Sequence, residues 1–357
     1  MNMMEEIPLW GWLLFYGLVM VMLLLDLKMF ARKGEHEVGV GEALKMTGVW
    51  IGVSLLFCLG IYLFFPVESS VGADVAGNLQ APVDASSVRY EKAMEFLAGY
   101  LIEKSLSMDN LFVFLMLFSY FGVKREYQHE VLFWGIFGAL VLRSVFIFAG
   151  AAIVSQFEWV LGLFGLFLLY TGAKLFNHQD NEGQDPSKNA VVRLFKRFFP
   201  VTDQMHGDKF FVREQVSLKA TPLFLTLLTI ETTDVAFAVD SIPAVFSVSR
   251  DPFIVLTSNI FAILGLRALY FALAAVAKYF KYLNYGLGII LIFVGVKMLL
   301  TMDEYVNRLC ALFSIPVNMP RVEIPTPLSL AIIFGVLVLS MGISVLVEKN
   351  QKKANIS

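Results

Sequence analysis

Charge is scarce in this chain. Asp, Glu, Lys and Arg make up only 16% of its 357 residues, against 57% hydrophobic residues, and the mean hydropathy is +0.70. A soluble domain cannot hide that much apolar surface, so the soluble globular class is excluded. Cysteine is nearly absent: Cys58 and Cys310 are too few for a disulfide framework and too far apart for a metal motif. Histidine is also rare, and His36, His129, His178 and His206 all fall in predicted cytoplasmic loops or at the inner edge of a span. That excludes a buried imidazole site of the kind histidine-rich zinc transporters use.

What the chain has instead is long apolar runs. Nine stretches, near 8–30, 46–66, 95–121, 129–154, 157–176, 219–247, 252–277, 282–301 and 327–347, approach the roughly 20 residues a helix needs to cross the hydrocarbon core. The fold class is therefore all-α, a polytopic membrane protein with nine transmembrane helices. The first run is too long for a removed signal peptide and lacks a small-residue cleavage site. Basic residues set the orientation. With the N-terminus outside and the C-terminus cytoplasmic, nineteen lysines and arginines fall on the cytoplasmic side and five outside. Four more, Lys104, Arg143, Arg267 and Lys297, lie within spans.

The chain reads as a single membrane domain, 1–357, with an internal duplication. Residues 95–176 and 219–301 are two three-helix repeats at an offset of about 123–131 residues; 8–66 and 327–347 are peripheral helices. Glu103-x5-Asp109-Asn110 matches Asp234-x5-Asp240-Ser241, Arg143 matches Arg267, and Gly165-x6-Gly172-x-Lys174 matches Gly288-x6-Gly295-x-Lys297. Three spans per unit force the second unit to enter the membrane from the opposite side, giving an inverted repeat. Between the repeats, 177–218 is a cytoplasmic loop. Its Val191, Leu194, Phe195, Phe198 and Phe199 share one helical face, with Arg193, Lys196 and Arg197 between them, as in a helix lying on an anionic leaflet.

The charges inside the spans carry the functional reading. Placing one at mid-bilayer costs roughly 2.5–3.5 kcal/mol, so such groups face a partner or a water-filled cavity. Glu103, Asp109, Glu231, Asp234 and Asp240 outnumber Lys104, Arg143 and Arg267 by two, the charge a divalent cation cancels. The competing reading is that acids and bases pair to hold helices together. With Asn110, Ser105 and Ser241, the carboxylates form a hard oxygen set suited to manganese, magnesium or calcium. Residues six apart on a regular helix sit about 240° apart, so each acidic pair needs a helix break to share a site. Pro243, which removes the hydrogen bond to the carbonyl of Val239, is expected to make that break at Asp240 and act as a hinge.

"EKSLSMDNLFVF", "MLFSYF", "ATPLFLTLLTIETTDVAFAVDSIPAVF" and "DPFIVLTSNIFAILGLRALYF" resemble the TerC/Alx family, from the first span to the last. The resemblance implies a nine-span inner-membrane protein related in architecture to the lysine-exporter superfamily, with manganese efflux in several members and tellurium resistance in others. It places the family's acidic signature on Asp26, Glu103, Asp109, Glu231, Asp234 and Asp240. Its amide and hydroxyl companions fall on Asn110, Ser105 and Ser241, and its basic residues on Lys104, Arg143 and Arg267. The departures are a longer external segment, 67–90, and Thr233 where Ser is expected.

Together these features predict a divalent metal-ion exporter. Alternating access would carry the ion on the third and sixth spans, with protons replacing it. Its partners would be the metal ion, the bilayer and protons, with no resident cofactor, no enzymatic activity and no nucleic acid. Three other readings stay open: an oxyanion or tellurite-related transporter centred on Arg143 and Arg267, an aspartyl hydrolase using Asp109 and Asp240, and a factor for membrane-protein assembly.

Overall fold

The computed structural model describes residues 7–31, 40–67, 84–157, 159–176, 190–202, 204–214, 217–276, 283–300, 302, 303, 307 and 324–354. Among the described residues, eleven helices run in order: α1 Leu9–Ala31, α2 Val40–Phe64, α3 Ala85–Tyr120, α4 Arg125–Gln156, α5 Val160–Lys174, α6 Ala190–Phe198, α7 Pro222–Phe246, α8 Pro252–Ile263, α9 Leu266–Val276, α10 Leu283–Leu300 and α11 Thr326–Ala354. A hairpin of β1 Phe211–Glu214 and β2 Ser217–Ala220 precedes α7, pairing antiparallel from Phe211 opposite Ala220 to Glu214 opposite Ser217.

That hairpin refines two expectations. The mostly helical chain carries a short two-stranded element, and the helix expected from 219 begins at Pro222, because Ser217–Ala220 is a strand. The reason is local: Thr221 accepts from the Phe224 N–H at 3.4 Å and Pro222 occupies the first helical turn, so α7 starts there. The same grammar starts α8, where Asp251 accepts from the N–H groups of Phe253 and Ile254 ahead of Pro252. At the other end of α3, Gly122 takes φ +64 while the Val123 N–H returns to the Phe118 carbonyl at 2.9 Å, closing the helix with the left-handed residue that such an end favours.

Among the described residues, five helices are long and apolar enough to cross a membrane: α1, α2, α4, α7 and α11. A sixth span results if α8 and α9, bent by 40° at Leu264 and Gly265, count as one. The shorter α5 and α10 are apolar as well. At 36 residues α3 has the length, but it carries Glu103, Lys104 and Asp109.

The break expected in α7 at Asp240 is absent, for α7 runs unbroken from Pro222 to Phe246 with Pro243 inside its final turn. A proline that close to a helix end disturbs only one remaining turn. The chain breaks in the following span instead, at Gly265. Its φ of +81 suits glycine alone, and a Cβ there would lie 2.7 Å from Trp50.

Packing fixes the relative directions of the helices. Gly135 lies against Leu227 and Ile230, Gly138 against Glu231 and Gly150 against Phe246, so α4 and α7 run parallel. Gly99 meets Ser258, Lys104 meets Ala262 and Phe118 meets Tyr270, so α3 runs parallel to α8 and α9. Gln128 meets Tyr270 and Arg143 meets Asn259, so α4 runs against both. It follows that α3 and α7 point in opposite directions. The pair α5 and α10 cross antiparallel through glycines: a Cβ on Gly165 would lie 3.1 Å from the Gly295 carbonyl, and one on Gly172 would lie 2.9 Å from the Gly288 carbonyl.

Outside the bundle, α6 divides its apolar residues between two faces. Phe195 and Phe199 stack on each other at 5.2 Å and meet Phe224 and Phe211, while Val191, Leu194 and Phe198 are exposed. Asp180, Glu182 and Asp185, in the loop before it, lie outside the described residues.

Candidate functional site

The polar contacts between α3, α4, α7 and α8 centre on Arg143. It sits on α4 where that helix faces α3, α7 and α8, and it is fully buried. A charged guanidinium out of water is tolerated only when its donors are met by acceptors of opposite charge. Five oxygens meet it. Nη1 donates to Glu103 Oε1, to Asn259 Oδ1 at 3.0 Å and to Ser241 Oγ at 3.4 Å; Nε and Nη2 grip Asp234 in a two-pronged pair at 3.2 and 3.0 Å. The planar fork of arginine matches a carboxylate edge in this way, and lysine would not reproduce it. Ser107, one turn along α3, adds its hydroxyl to Glu103 Oε1 at 3.1 Å.

Around this centre the predicted residues distribute unevenly. Glu103, Asp234, Ser241 and Arg143 come together. Glu231 lies one turn before Asp234 on the same face of α7, its carboxylate directly over Gly138 of α4. The Oε2 atoms of both Glu103 and Glu231 are buried without a hydrogen-bond partner. Asn110 is buried in α3. The side chains of Asp109 and Asp240 lie outside the described residues, although their backbones belong to α3 and α7.

The other charges fall elsewhere. Arg267 pairs with Asp26 of α1, Nη2 reaching Oδ2 at 2.8 Å and the Asp26 carbonyl at 2.6 Å, with the Phe133 ring 5.8 Å from the guanidinium carbon. Lys104 donates to the Ala262 carbonyl at 3.0 Å, in the last turn of α8, where the helix break leaves carbonyls without intrahelical donors. A cation is favoured at such a C-terminal end. Lys297 of α10 donates to Ser329 of α11 at 3.0 Å. Arg267, Lys104 and Lys297 therefore each tie two helices together, Arg267 through an acid and the two lysines through a carbonyl and a hydroxyl, and the Arg143 cluster joins carboxylates from both predicted repeats.

Sequence reasoning passed over three features. Asn259, fully buried, is the one amide in the apolar run of α8, and a polar residue at that depth was the available signal. Gly138 has no signal of its own, because its role depends on which helix α4 meets. The third is a cluster where α3 meets the start of α8: Lys92 Nζ lies 3.4 Å from Glu95 and 3.3 Å from Asp251, and Ser249 donates to Glu95 at 2.6 Å. Among the described residues, no group of three or more His, Cys, Asp and Glu side chains is arranged to hold a metal ion by itself.

Comparison with known proteins points one way. The model of the integral membrane protein TerC family matches residues 88–353. Over 355 residues the chain is 44% identical to a protein of Photorhabdus laumondii subsp. laumondii named Alx and described as a candidate membrane-bound redox modulator; the match covers 99% of this chain and all of that one. The protein of the same name in Escherichia coli strain K12 is 42% identical over 354 residues, covering 99% of each. An uncharacterised membrane protein of Myxococcus xanthus is 44% identical over 299 residues, 83% of this chain and 86% of its own length. No solved structure matches.

Proposed function

The chain belongs to the TerC family of integral membrane proteins, and from that premise we propose that it is a divalent metal-ion exporter with manganese as its first candidate cargo. The observation that carries this reading is the meeting of Glu103 and Asp234, one from each repeat, at a buried point with Ser241 and Asn259, while Glu103 and Glu231 keep carboxylate oxygens without hydrogen-bond partners. Hard oxygens from both halves are what Mn2+, Mg2+ or Ca2+ require. In this reading Asp109, Asn110 and Asp240 complete the site.

The pairing of Arg267 with Asp26 changes the charge balance. Setting that neutral pair aside leaves five carboxylates within the spans, Glu103, Asp109, Glu231, Asp234 and Asp240, against two cations, Lys104 and Arg143, an excess of three negative charges by count if all are ionised. A divalent ion cancels two of them and a proton the third, which supports proton coupling. No enzymatic step or resident cofactor is part of the proposal.

The nine-span arrangement, with an inverted repeat, the N-terminus outside and an inner-membrane location, belongs to the same proposal. Adding α3, α5, α10 and the bent α8–α9 pair to the five long apolar helices makes nine. The opposite directions of α3 and α7, and the reciprocal glycine crossing of α5 and α10, are what an inverted pair of units requires. Alternating access then rocks the two units around the shared site.

The oxyanion reading is disfavoured, since Arg143 and Arg267 are each engaged by carboxylates. The redox role in the name of the Alx relatives finds little footing in Cys58, whose thiol is buried and donates to the Ala93 carbonyl at 3.4 Å. Manganese, itself redox-active, offers a route from metal export to such a role. The test is cellular metal content, with sensitivity to manganese, calcium and tellurite, in cells lacking the protein and in cells carrying Asp240→Asn. Manganese accumulation in both supports the reading; normal content with tellurite sensitivity alone overturns it.

A further inference from the structure

Five oxygens converge on the Arg143 guanidinium: Glu103 Oε1, both carboxylate oxygens of Asp234, Ser241 Oγ and Asn259 Oδ1. They come from α3, α7 and α8, and four of the five belong to residues assigned above to the metal ion. A shell of hard oxygens on all sides of a positive charge is also the coordination a divalent ion takes. The guanidinium and a metal cannot occupy that shell together. Arginine stays charged under all physiological conditions, so it cannot yield its place by losing a proton and must move.

Resting on the exporter reading, we propose that Arg143 is a tethered counter-cation that fills the oxygen cage between transport events, and that cargo binds by displacing it, with Asn259 as a ligand of the same cage. Two observations support the arrangement. Its duplicate, Arg267, is pinned to Asp26 of α1 by both carboxylate and carbonyl, so a single arginine serves the cage. The displaced guanidinium also has somewhere to go: Glu231 lies against α4 one turn from Asp234, with a buried Oε2 that lacks a hydrogen-bond partner. An internal cation solves a problem every such carrier faces, because returning without cargo would otherwise drag bare carboxylates through the membrane.

The consequence is a division between two transport modes. Metal-for-metal exchange never requires the cage to cross without cargo, whereas net export does. In proteoliposomes loaded with Mn2+, Arg143→Gln is expected to lower net efflux at least tenfold more than it lowers exchange against external Mn2+. Arg143→Lys, which retains a tethered cation, should recover part of the net efflux, and Asn259→Leu should weaken both modes. Folding is checked by a monodisperse size-exclusion profile. The proposal is overturned if folded Arg143→Gln supports net efflux like the wild type, or if it loses both modes equally and Arg143→Lys does the same. A wild type inactive in both modes would instead refute the exporter reading itself.

Discussion

A single hydrogen atom decides the surroundings of Glu231. Any Cβ at position 138 would run into its carboxylate, so Gly138→Ala must push that side chain off α4. The expected result is a severalfold fall in apparent metal affinity with little change in folding, read by metal-dependent thermal shift; an unchanged affinity would remove Glu231 from the site. Asp26 offers a second test. It is buried against Arg267, and truncating one member of a buried pair costs about 3–5 kcal/mol because the remaining charge is stranded. Asp26→Ala should therefore lower the midpoint of unfolding in detergent, with partial recovery in Asp26→Ala/Arg267→Leu. Sequence was informative at this scale about which residues are chemical, since a charge within an apolar run announces itself. It could not assign partners: the excess of acids over bases was counted with Arg267 inside the cluster, and only packing moved that arginine to α1. For Asp109 and Asp240 the side-chain geometry lies outside the described residues.

Among the helices, the crossing of α5 and α10 makes the sharpest prediction. Backbone carbonyls lie 2.9 and 3.0 Å from where a Cβ would stand on Gly172 and Gly288, so neither site can relax by turning a side chain. Gly172→Ala and Gly288→Ala should each destabilise the protein by about 1–3 kcal/mol, and by similar amounts because they meet at one crossing; thermal unfolding measures both. At the start of α3, the side-chain hydroxyl and backbone N–H of Ser86 hold the Asp84 carboxyl below its usual range. A carboxyl with a lowered folded value contributes fully above the ordinary aspartate range, near pH ~3.9, and loses its contribution as the pH falls through the lowered value. Hydrogen exchange at the first turn of α3 should quicken only in that acidic window. The apolar runs at 219–247 and 252–277 located the starts of α7 and α8 to within three residues, and the Thr221-Pro222 and Asp251-Pro252 pairs set them. The location of the break was not legible in the chain, because Pro243 looks like a breaker in sequence and its nearness to the end of α7 makes it harmless, whereas the effect of Gly265 depends on Trp50 from another helix.

For the molecule as a whole, the apolar runs made the membrane class legible from the chain alone, and the resemblance carried by the long motifs around Glu103, Asp234 and Arg267 did the same for its family. The shape of the site was less so, since it depends on helices far apart in sequence meeting at Arg143. The proposed nine-span topology predicts that reporters fused after Ser357 face the cytoplasm and those placed before Leu9 face outward; opposite results at both ends would invert the topology, and an opposite result at one end alone would refute an odd number of spans. The most direct test of the central claim is simultaneous recording of Mn2+ flux and internal pH in proteoliposomes holding wild-type protein, Asp234→Asn or Asp240→Asn. The account predicts a Mn2+ flux with an opposing proton flux in the wild type and at least a tenfold loss of both in each variant. Undiminished Mn2+ flux in both variants would contradict it.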